Sequence, residues 1–272
     1  MGPELTAVTA PVHLRIADDI RVKIETGELG PDDQLPTLGA LAEQWSCSVT
    51  SARGAIALLR EQGLISGGRG QPLRVRVKPR MVIRDSRRHQ GEKDLAIASL
   101  DERRRHGEAE DDLGEELQAL DFRCEYRRVP APAELAAVFG IEPGAELLRK
   151  MYETRDKTGR TRRAYSVSWV PVSLIESNPS LLSDDCEPWP GGAQNQFRTV
   201  GIEIAEVVDE VRAIMPTTVD VQRWALEPGV PLLAVRRISI DTDKRVVEVS
   251  DAQYPADRTE LRFTTPLRPW SN

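Results

Sequence analysis

Apolar residues recur at helical spacing in two short stretches of the chain, and a tight polar turn separates the stretches. The first covers residues 38–45 and the second covers residues 49–62, so the pattern predicts two consecutive helices. Thr37 and Ser48 each stand directly before one stretch, where a hydroxyl side chain caps the first turn of a helix. The apolar positions that define the two faces are Leu38 and Leu41, then Ala52, Ile56 and Leu59.

The second predicted helix has a polar outer face close to its beginning, formed by Thr50, Ser51 and Arg53. A glycine-rich hairpin follows at residues 67–72. Two short helices joined by a tight turn, with a polar N-terminal face on the second, are the arrangement with which helix-turn-helix proteins enter the major groove of DNA. The candidate DNA-binding residues are Thr37, Ser48, Val49, Thr50, Ser51, Arg53, Arg69, Gly70, Gln71 and Arg74.

Beyond residue 117 the pattern changes to the alternation of apolar and polar residues that is typical of strands. Five segments show it, at residues 147–154, 164–170, 202–214, 232–241 and 245–254. Short helical candidates lie between them, at residues 132–139, 172–177, 194–200 and 218–224. We therefore expect an α+β fold, with an N-terminal helix-turn-helix and a mostly antiparallel C-terminal sheet flanked by helices.

A chain of 272 residues is long enough for two domains, and its composition suggests where they meet. Residues 85–116 are strongly charged and predict a linker that is partly helical around residues 95–105. An ordinary surface helix followed by a loop explains the same composition, so both interpretations stay open. The predicted boundaries are residues 11–80 for a DNA-binding domain, 81–116 for the linker and 117–272 for the second domain.

The net charge of −6 argues against a nucleic-acid partner until its distribution along the chain is considered. Residues 11–80 contain ten Lys and Arg against eight Asp and Glu, a balance of +2, which leaves −8 for the rest of the chain. Five basic residues follow one another along the predicted hairpin and its exit: Arg69, Arg74, Arg76, Lys78 and Arg80. Basic side chains at such a position neutralise DNA phosphates, although an ordinary solvated edge has the same composition.

Few residues are suited to enzymatic or metal chemistry. The cysteines lie far apart without the spacing of metal ligands, and we interpret them as reduced thiols: Cys47, Cys124 and Cys186. The histidines form no recognisable arrangement with a serine or cysteine nucleophile: His13, His89 and His106. No apolar run approaches the length of a membrane-spanning helix and no signal peptide is visible, so we expect a cytoplasmic protein without a cofactor.

The N-terminal pattern resembles the GntR family of winged-helix repressors, in which three helices precede a two-stranded wing. The residues that carry the resemblance include Leu14, Ile16, Ile20, Leu29, Leu35, Pro36, Leu41, Ser48, Arg53, Ile56, Leu59, Gly63, Leu64, Ile65 and Gly70. Because one winged helix reads few base pairs, we expect a homodimer on a palindromic operator in double-stranded DNA. Two positions depart from the family pattern: Val49 stands where an arginine is usual, and Pro72 stands where a second wing glycine is common.

The C-terminal half resembles the ligand-sensing UTRA domain of the HutC branch of this family, which shares the chorismate lyase fold. The residues that carry this resemblance include Val129, Pro130, Gly144, Leu147, Trp169, Pro171, Pro216, Gly229, Pro231, Glu248 and Pro255. Residues 187–192 look most like the corresponding segment of actinobacterial members. The resemblance implies a repressor that a small-molecule effector releases from DNA. Two alternatives stay open: a constitutive repressor of the plasmid-transfer type without a small ligand, and an enzyme like chorismate lyase, which an attached winged helix disfavours.

The same resemblance points to a ligand site on the sheet. Relatives that sense phosphorylated amino sugars place two arginines on the first hairpin, and here those positions fall near Tyr152 and Thr154. The acid and tyrosine that those relatives carry on the last strand are present as Glu248 and Tyr254. Because a phosphate binds poorly without charge-assisted donors, we expect a neutral or cationic ligand with Glu248 as its anchor. The candidate ligand-binding residues are Tyr152, Ser166, Ser168, Glu210, Arg212, Glu248 and Tyr254.

Overall fold

The computed structural model of the protein describes residues 10–68, 71–105 and 120–267. The chain forms two compact units. The first comprises the residues up to Pro79 together with Glu227–Val230, and the second comprises Arg80–Leu226 and Pro231–Asn272. Each unit has its own hydrophobic core. Within the described ranges, no helix has the length and apolar character needed to cross a bilayer.

The first unit contains three helices and a two-stranded hairpin. Its elements are α1 (Val12–Glu25), α2 (Leu38–Gln44), α3 (Val49–Glu61), β1 (Ile65–Gly68) and β2 (Gln71–Val75). Apolar side chains from all three helices meet in one core, where Ile16, Leu41 and Leu59 are almost completely buried. Ile65 and Val75 pair across the hairpin and add their side chains to this core. The elements and their order are those of a winged helix-turn-helix.

Side-chain caps begin the two helices of the helix-turn-helix. The Thr37 hydroxyl accepts a hydrogen bond from the Ala40 amide at 3.2 Å, and the Ser48 hydroxyl accepts one from the Ser51 amide at 3.1 Å. Each cap satisfies one of the amides that the first turn of a helix leaves without an internal partner. The turn between the helices is tight enough to place Ser46 at a positive φ of 47°.

The second unit is built on a six-stranded antiparallel sheet. Its strands are β4 (Asp121–Pro130), β5 (Glu146–Arg155), β6 (Arg162–Pro171), β7 (Ile204–Ile214), β8 (Leu232–Asp241) and β9 (Val246–Pro255). In space they follow the order β4-β5-β6-β9-β8-β7, so β4 and β7 are the edge strands. A separate parallel pair joins β3 (Val82–Asp85) to β10 (Thr259–Arg262).

Short helices cover both faces of this sheet. In the described part of the second unit they are α4 (Arg88–Ala96), α5 (Leu100–Arg105), α6 (Ala133–Phe139), α7 (Val172–Ile175), α8 (Gly192–Arg198) and α9 (Thr218–Trp224). On one face, Phe139 of α6 packs in a cluster with Leu147 and Val249. On the other face, Phe197 of α8 packs in a cluster with Leu148. Neighbouring strand residues point to opposite faces, so Leu147 and Leu148 serve two different cores.

The observed architecture confirms the predicted α+β fold and the N-terminal winged helix-turn-helix. The five predicted strands correspond to β5, β6, β7, β8 and β9. The edge strand β4 was not predicted, although charged residues at every second position from Asp121 to Arg127 alternate with Phe122, Cys124 and Tyr126. Its charged residues are Asp121, Arg123, Glu125, Arg127 and Arg128.

The segment predicted as a linker, residues 81–116, differs from that prediction as far as the structure describes it. Residues 82–105 form β3, α4 and α5 within the second unit. Polar contacts join α4 to α8: the Glu92 carboxylate accepts a hydrogen bond from the Gln194 amide at 3.0 Å, and the Asn195 side chain donates to the Ala96 carbonyl at 2.8 Å. Because charged and amide side chains make these contacts, composition alone does not distinguish the segment from a linker. Residues 106–116 lie outside the described residues.

Candidate functional site

The start of α3 presents a polar surface in the first unit. Val49, Thr50 and Arg53 are exposed there, and Ser51 is half-buried. Val49 is 46% exposed, so its methyl groups are open to an approaching partner. The Ser48 hydroxyl lies 3.0 Å from the Ser51 hydroxyl and also accepts a hydrogen bond from the Ser51 amide. These two residues therefore stabilise the start of the helix. The side chains of this surface that are open to a partner are therefore those of Val49, Thr50 and Arg53.

The hairpin after α3 carries the remaining candidates for DNA contact. Gln71 is exposed at the start of β2. Arg74 donates to the Asp32 carbonyl oxygen at 2.7 Å and lies 3.5 Å from the Asp32 carboxylate. Arg74 thus ties the hairpin to the loop before α2, and its guanidinium has a structural role in addition to any contact with DNA. Arg69 and Gly70 lie outside the described residues.

A cavity of about 550 Å³ lies on one face of the sheet in the second unit. This volume falls within the range of roughly 300–1,000 Å³ that is typical of small-molecule sites. The strand side chains that line it include Tyr152, Ser166, Ser168, Val235, Arg237, Ser239, Glu248, Ser250 and Tyr254. The strand register places Ser168, Ser250 and Arg237 side by side in one row. The sheet therefore gives the cavity a surface rich in small hydroxyl groups.

Ser168 is a buried polar residue of this surface. It is 3% exposed, and its hydroxyl oxygen has no hydrogen-bond partner among the described residues. Burying a hydroxyl without a partner costs on the order of 1–3 kcal/mol. Because Ser168 lines the cavity, this hydroxyl favours a ligand with a polar group at that point.

A half-buried carboxylate, that of Glu187, lines another part of the cavity. Its Oε1 atom accepts hydrogen bonds from the hydroxyls of Tyr126 and Tyr152 and, at 2.7 Å, from the Gln196 side-chain amide. Its Oε2 atom accepts from the Trp189 amide at 2.8 Å. Burial and the nearby negative charge raise the pKa of both tyrosines, so both remain protonated donors at neutral pH. The Glu187 carboxylate is therefore fully engaged by the protein.

Lys150 is a buried cation beside the Glu187 cluster. It is 3% exposed, and its ammonium donates to the Gln196 side-chain oxygen at 2.6 Å. Burial lowers the pKa of Lys150, while the negative charges of Glu248 and Glu187 act in the opposite direction. The two acids therefore offset part of the effect of burial on this ammonium group.

The chain segment that directly follows the first unit supplies a further wall of the cavity. Arg84 comes from β3, Arg88, His89 and Glu92 come from α4, and Arg103 and Arg104 come from α5. The Arg84 side chain is buried, and its guanidinium carbon lies 4.0 Å from the centroid of the Tyr254 ring. Sequence reasoning missed these arginines because it interpreted the segment as a linker. The signal that pointed to Arg88, Arg103 and Arg104 was the repeated basic clusters of residues 87–88 and 103–105.

Asp209 of β7 connects α4 to the sheet. Its Oδ2 atom lies 3.5 Å from Nε2 of His89, and its Oδ1 atom accepts a hydrogen bond from Nε of Arg237 at 2.8 Å. Burial acts to raise the pKa of Asp209, but the hydrogen bonds from His89 and Arg237 outweigh burial and hold this pKa well below its usual range. The carboxylate is therefore charged at neutral pH and joins the wall of the cavity to the sheet.

The structure brings five of the seven predicted ligand-binding residues to one cavity: Tyr152, Ser166, Ser168, Glu248 and Tyr254. Glu210 and Arg212 lie elsewhere, exposed on the edge strand β7, where they are 3.8 Å from each other. Strand alternation points them to the face opposite that of Val207, which lines the cavity. The assignment of Glu210 and Arg212 to this cavity is therefore corrected.

Two family models match the chain. The model for the UTRA domain matches residues 124–260, which include most of β4 and the five other strands of the sheet. The model for bacterial regulatory proteins of the gntR family matches residues 13–75, which include α2, α3 and the hairpin. The two matches correspond to the two compact units, each with its own candidate site.

Curated relatives match along nearly the whole chain. An HTH-type transcriptional regulator of Rhizobium meliloti (strain 1021) is 25% identical over 252 residues, which covers 92% of this chain and 93% of the relative. Another, of Streptomyces coelicolor, is 26% identical over 268 residues, which covers 93% of this chain and 91% of the relative. The HTH-type transcriptional repressor NagR of Bacillus subtilis (strain 168) is 24% identical over 255 residues, covering 91% and 92% respectively.

A solved structure of a GntR-family transcriptional regulator has the same fold. It superposes with a TM-score of 0.69 and 23% sequence identity, and the match covers 95% of this chain and 99% of that chain. At this level of identity the likeness establishes the fold and leaves the ligand open.

Proposed function

The chain belongs to the GntR family of bacterial regulatory proteins and carries a UTRA domain, and we propose that it is a homodimeric repressor. The homodimer binds a palindromic operator, and a small organic effector releases it from this DNA. The family makes it a DNA-binding transcriptional regulator. The observation that carries it is a cavity of about 550 Å³ whose wall includes the segment that follows the DNA-binding unit.

The DNA side of the proposal rests on the exposed start of α3. In helix-turn-helix proteins this part of the second helix contacts base edges in the major groove. Arg53 has the guanidinium that pairs with guanine through two hydrogen bonds, and Val49 offers an apolar surface that suits a thymine methyl group. One such helix reads only a few base pairs, so we propose that two copies of the protein bind two half-sites. We propose further that Arg69, Gly70 and Gln71 contact the DNA backbone or the minor groove.

The effector side rests on the polar lining of the cavity. Ser168 carries a buried hydroxyl without a protein partner, and Glu248 lines the same cavity. A ligand that binds better to the form unable to bind DNA shifts the equilibrium by its difference in affinity for the two forms. A typical coupling free energy of about 1–3 kcal/mol lowers operator affinity by roughly 5–150-fold. This range is sufficient for induction of a repressed gene.

The two alternative functions, a constitutive repressor and an enzyme like chorismate lyase, make different use of the cavity. A constitutive repressor would have no need for a lined cavity, and the unpaired hydroxyl of Ser168 weighs against it. The proposal assigns no catalytic step to the chain, since shared fold alone does not carry an activity. We place the protein in the cytoplasm, where its DNA partner lies.

Footprinting of the purified full-length protein on the DNA upstream of its own gene tests the proposal, because regulators of this kind often control neighbouring genes. We expect protection of an inverted repeat whose half-sites are centred about one helical turn apart or a multiple of it. Protection that is uniform along the fragment, and disappears with modest added salt, would indicate only non-specific binding and would contradict the proposal.

A further inference from the structure

We infer that a second copy of the chain pairs with the first along the edge strand β7, in antiparallel register about a two-fold axis at Val211. The two sheets then form one continuous sheet. The inference rests on the proposed function, because it names the surface through which the proposed homodimer forms. Three properties of the strand carry it: its open edge, its apolar side chains and the order of its charges.

The first argument is the open edge of β7. In the described part of the chain, β8 is the strand that pairs with it, and its other edge faces outwards. Helix α4 covers the beginning of β7: the Lys93 ammonium donates to the Ile204 carbonyl at 2.8 Å, and His89 lies 3.5 Å from Asp209. At residues 210–213 the side chains on both faces are exposed. An open edge on a strand of eleven residues presents backbone groups that pair readily with another strand.

The second argument is the contrast with the other edge strand, β4. Charged residues occupy every second position in the first part of β4, and such charges protect an edge from pairing. The segment around Glu187 also contacts β4, because the Tyr126 hydroxyl donates to the Glu187 carboxylate. The open part of β7 instead carries Val208 and Val211, which are 37% and 39% exposed. Exposed apolar side chains beside an open edge favour β7 as the surface that a partner covers.

The third argument is charge complementarity, which selects a second copy as the partner. In a two-fold pair about Val211, Glu210 of each copy lies opposite Arg212 of the other, so two ion pairs form on one face of the sheet. The same register places Val208 opposite Ile214 on that face. Moving the axis by one residue in either direction sets Glu210 opposite Glu210, or Arg212 opposite Arg212, and like charges directly opposite each other are destabilising.

This register also brings the second copy close to the cavity. Val207 lines the cavity, and the residue opposite it is Met215 of the second copy, directly after the end of β7. Met215 is 70% exposed in the single chain, so pairing gives its side chain an apolar neighbour. Each copy therefore adds an apolar side chain beside the cavity of the other.

A short bismaleimide cross-linker tests the register in the full-length protein. Val211→Cys places the thiols of the two copies next to each other at the axis. Val208→Cys, a change at a position of almost the same exposure, places them six strand positions apart, which is roughly 20 Å. We expect Val211→Cys to give at least tenfold more cross-linked dimer than Val208→Cys. The wild type measures the background from the native cysteines, which all three proteins share.

Charge reversal tests the ion pairs, with dimer affinity measured by analytical ultracentrifugation at low salt. Glu210→Arg makes both charged positions basic and Arg212→Glu makes both acidic, so each variant alone meets like charges. We expect each change to raise the dimer dissociation constant about tenfold. An equimolar mixture of the two variants restores both ion pairs and should dimerise like the wild type, which also shows that both variants are folded. Arg160→Glu, in an exposed part of the hairpin between β5 and β6, should have no effect.

The outcomes separate this inference from the proposed function. A wild type that sediments as a monomer would contradict the homodimer and the interface together. A dimeric wild type in which Val211→Cys cross-links no better than Val208→Cys would leave the homodimer intact and show that its interface lies elsewhere. Charge-reversed variants that dimerise as tightly as the wild type, or a mixture that dimerises no better than its components, would also overturn the pairing along β7.

Discussion

Individual residues at the start of α3 divide into those that hold the helix and those that face outwards. Ser48 and Ser51 are joined by two short contacts, so replacing either one changes the helix start as well as any DNA contact. Val49 and Arg53 are exposed, so substitutions there change the outer surface with little effect on the core. These two positions are therefore the sharpest probes of DNA recognition.

Arg53→Ala should weaken binding to the specific operator by about 1–3 kcal/mol if its guanidinium makes a bidentate contact with a guanine. The measurement is a gel-shift titration at fixed salt. Arg160→Ala serves as the control, because it removes the same charge from an exposed turn of the second unit. Equal affinity for the wild type and Arg53→Ala would remove Arg53 from the reading surface.

Val49→Arg should change the preferred operator. Valine offers an apolar contact, whereas the arginine that is usual at this position of the family contacts guanine or phosphate. Selection of binding sites from a random DNA library, with the wild type and the variant in parallel, should give two different half-sites. Should both proteins select the same half-site, Val49 does not take part in reading the sequence.

At the scale of elements, apolar periodicity made most of the fold predictable. The caps at Thr37 and Ser48, the helices α2 and α3 and five strands of the sheet follow from local pattern and hydroxyl capping. Of the ligand site, only residues on predicted strands could be found. The wall of β3, α4 and α5 could not, because it is held by tertiary polar contacts such as that between Glu92 and Gln194, which have no period in the sequence.

Asn195→Ala should loosen α4 from α8. The Asn195 side chain is 1% exposed, donates to the Ala96 carbonyl and accepts a hydrogen bond from the Trp189 indole at 2.9 Å. Its loss leaves two buried polar groups without partners, so we expect the free energy of unfolding to fall by about 2–4 kcal/mol. Chemical denaturation measures this change, and Gln90→Ala, which removes an exposed hydrogen bond to Asp94, should shift stability by less than about 0.5 kcal/mol. Similar losses for the two variants would contradict the role of Asn195.

The ion pair of Asp209 should make stability depend on pH in a defined window. Hydrogen bonds from His89 and Arg237 lower the pKa of Asp209 in the folded protein, so the charged carboxylate stabilises the fold fully above the unfolded-state pKa of about 3.9. This stabilisation is lost as the pH falls below about 3.9 and through the folded-state pKa. Asp209→Asn should therefore be less stable than the wild type at neutral pH, and the difference should shrink below about pH 4. A difference in urea-unfolding free energy that stays constant down to pH 3 would show that the carboxylate charge is not responsible.

At the scale of the whole molecule, the cavity wall and the DNA-binding unit are consecutive in the chain. The first unit ends at Pro79, and β3, which carries Arg84, begins at Val82. We propose that a ligand that contacts Arg84 or Arg88 acts on the chain that leaves the DNA-binding unit. Linkage requires that the effect be mutual, so operator DNA must weaken effector binding by the same factor as the effector weakens DNA binding.

One titration tests whether a ligand of the cavity controls operator affinity. Operator DNA is titrated with wild type and Arg88→Gln, each with and without the small organic molecule that stabilises the wild type most in a thermal-shift screen. We predict that this molecule raises the operator dissociation constant of the wild type by roughly 5–150-fold and has little effect on the variant. A molecule that occupies the wild-type cavity and leaves the operator dissociation constant unchanged would contradict this control of DNA binding.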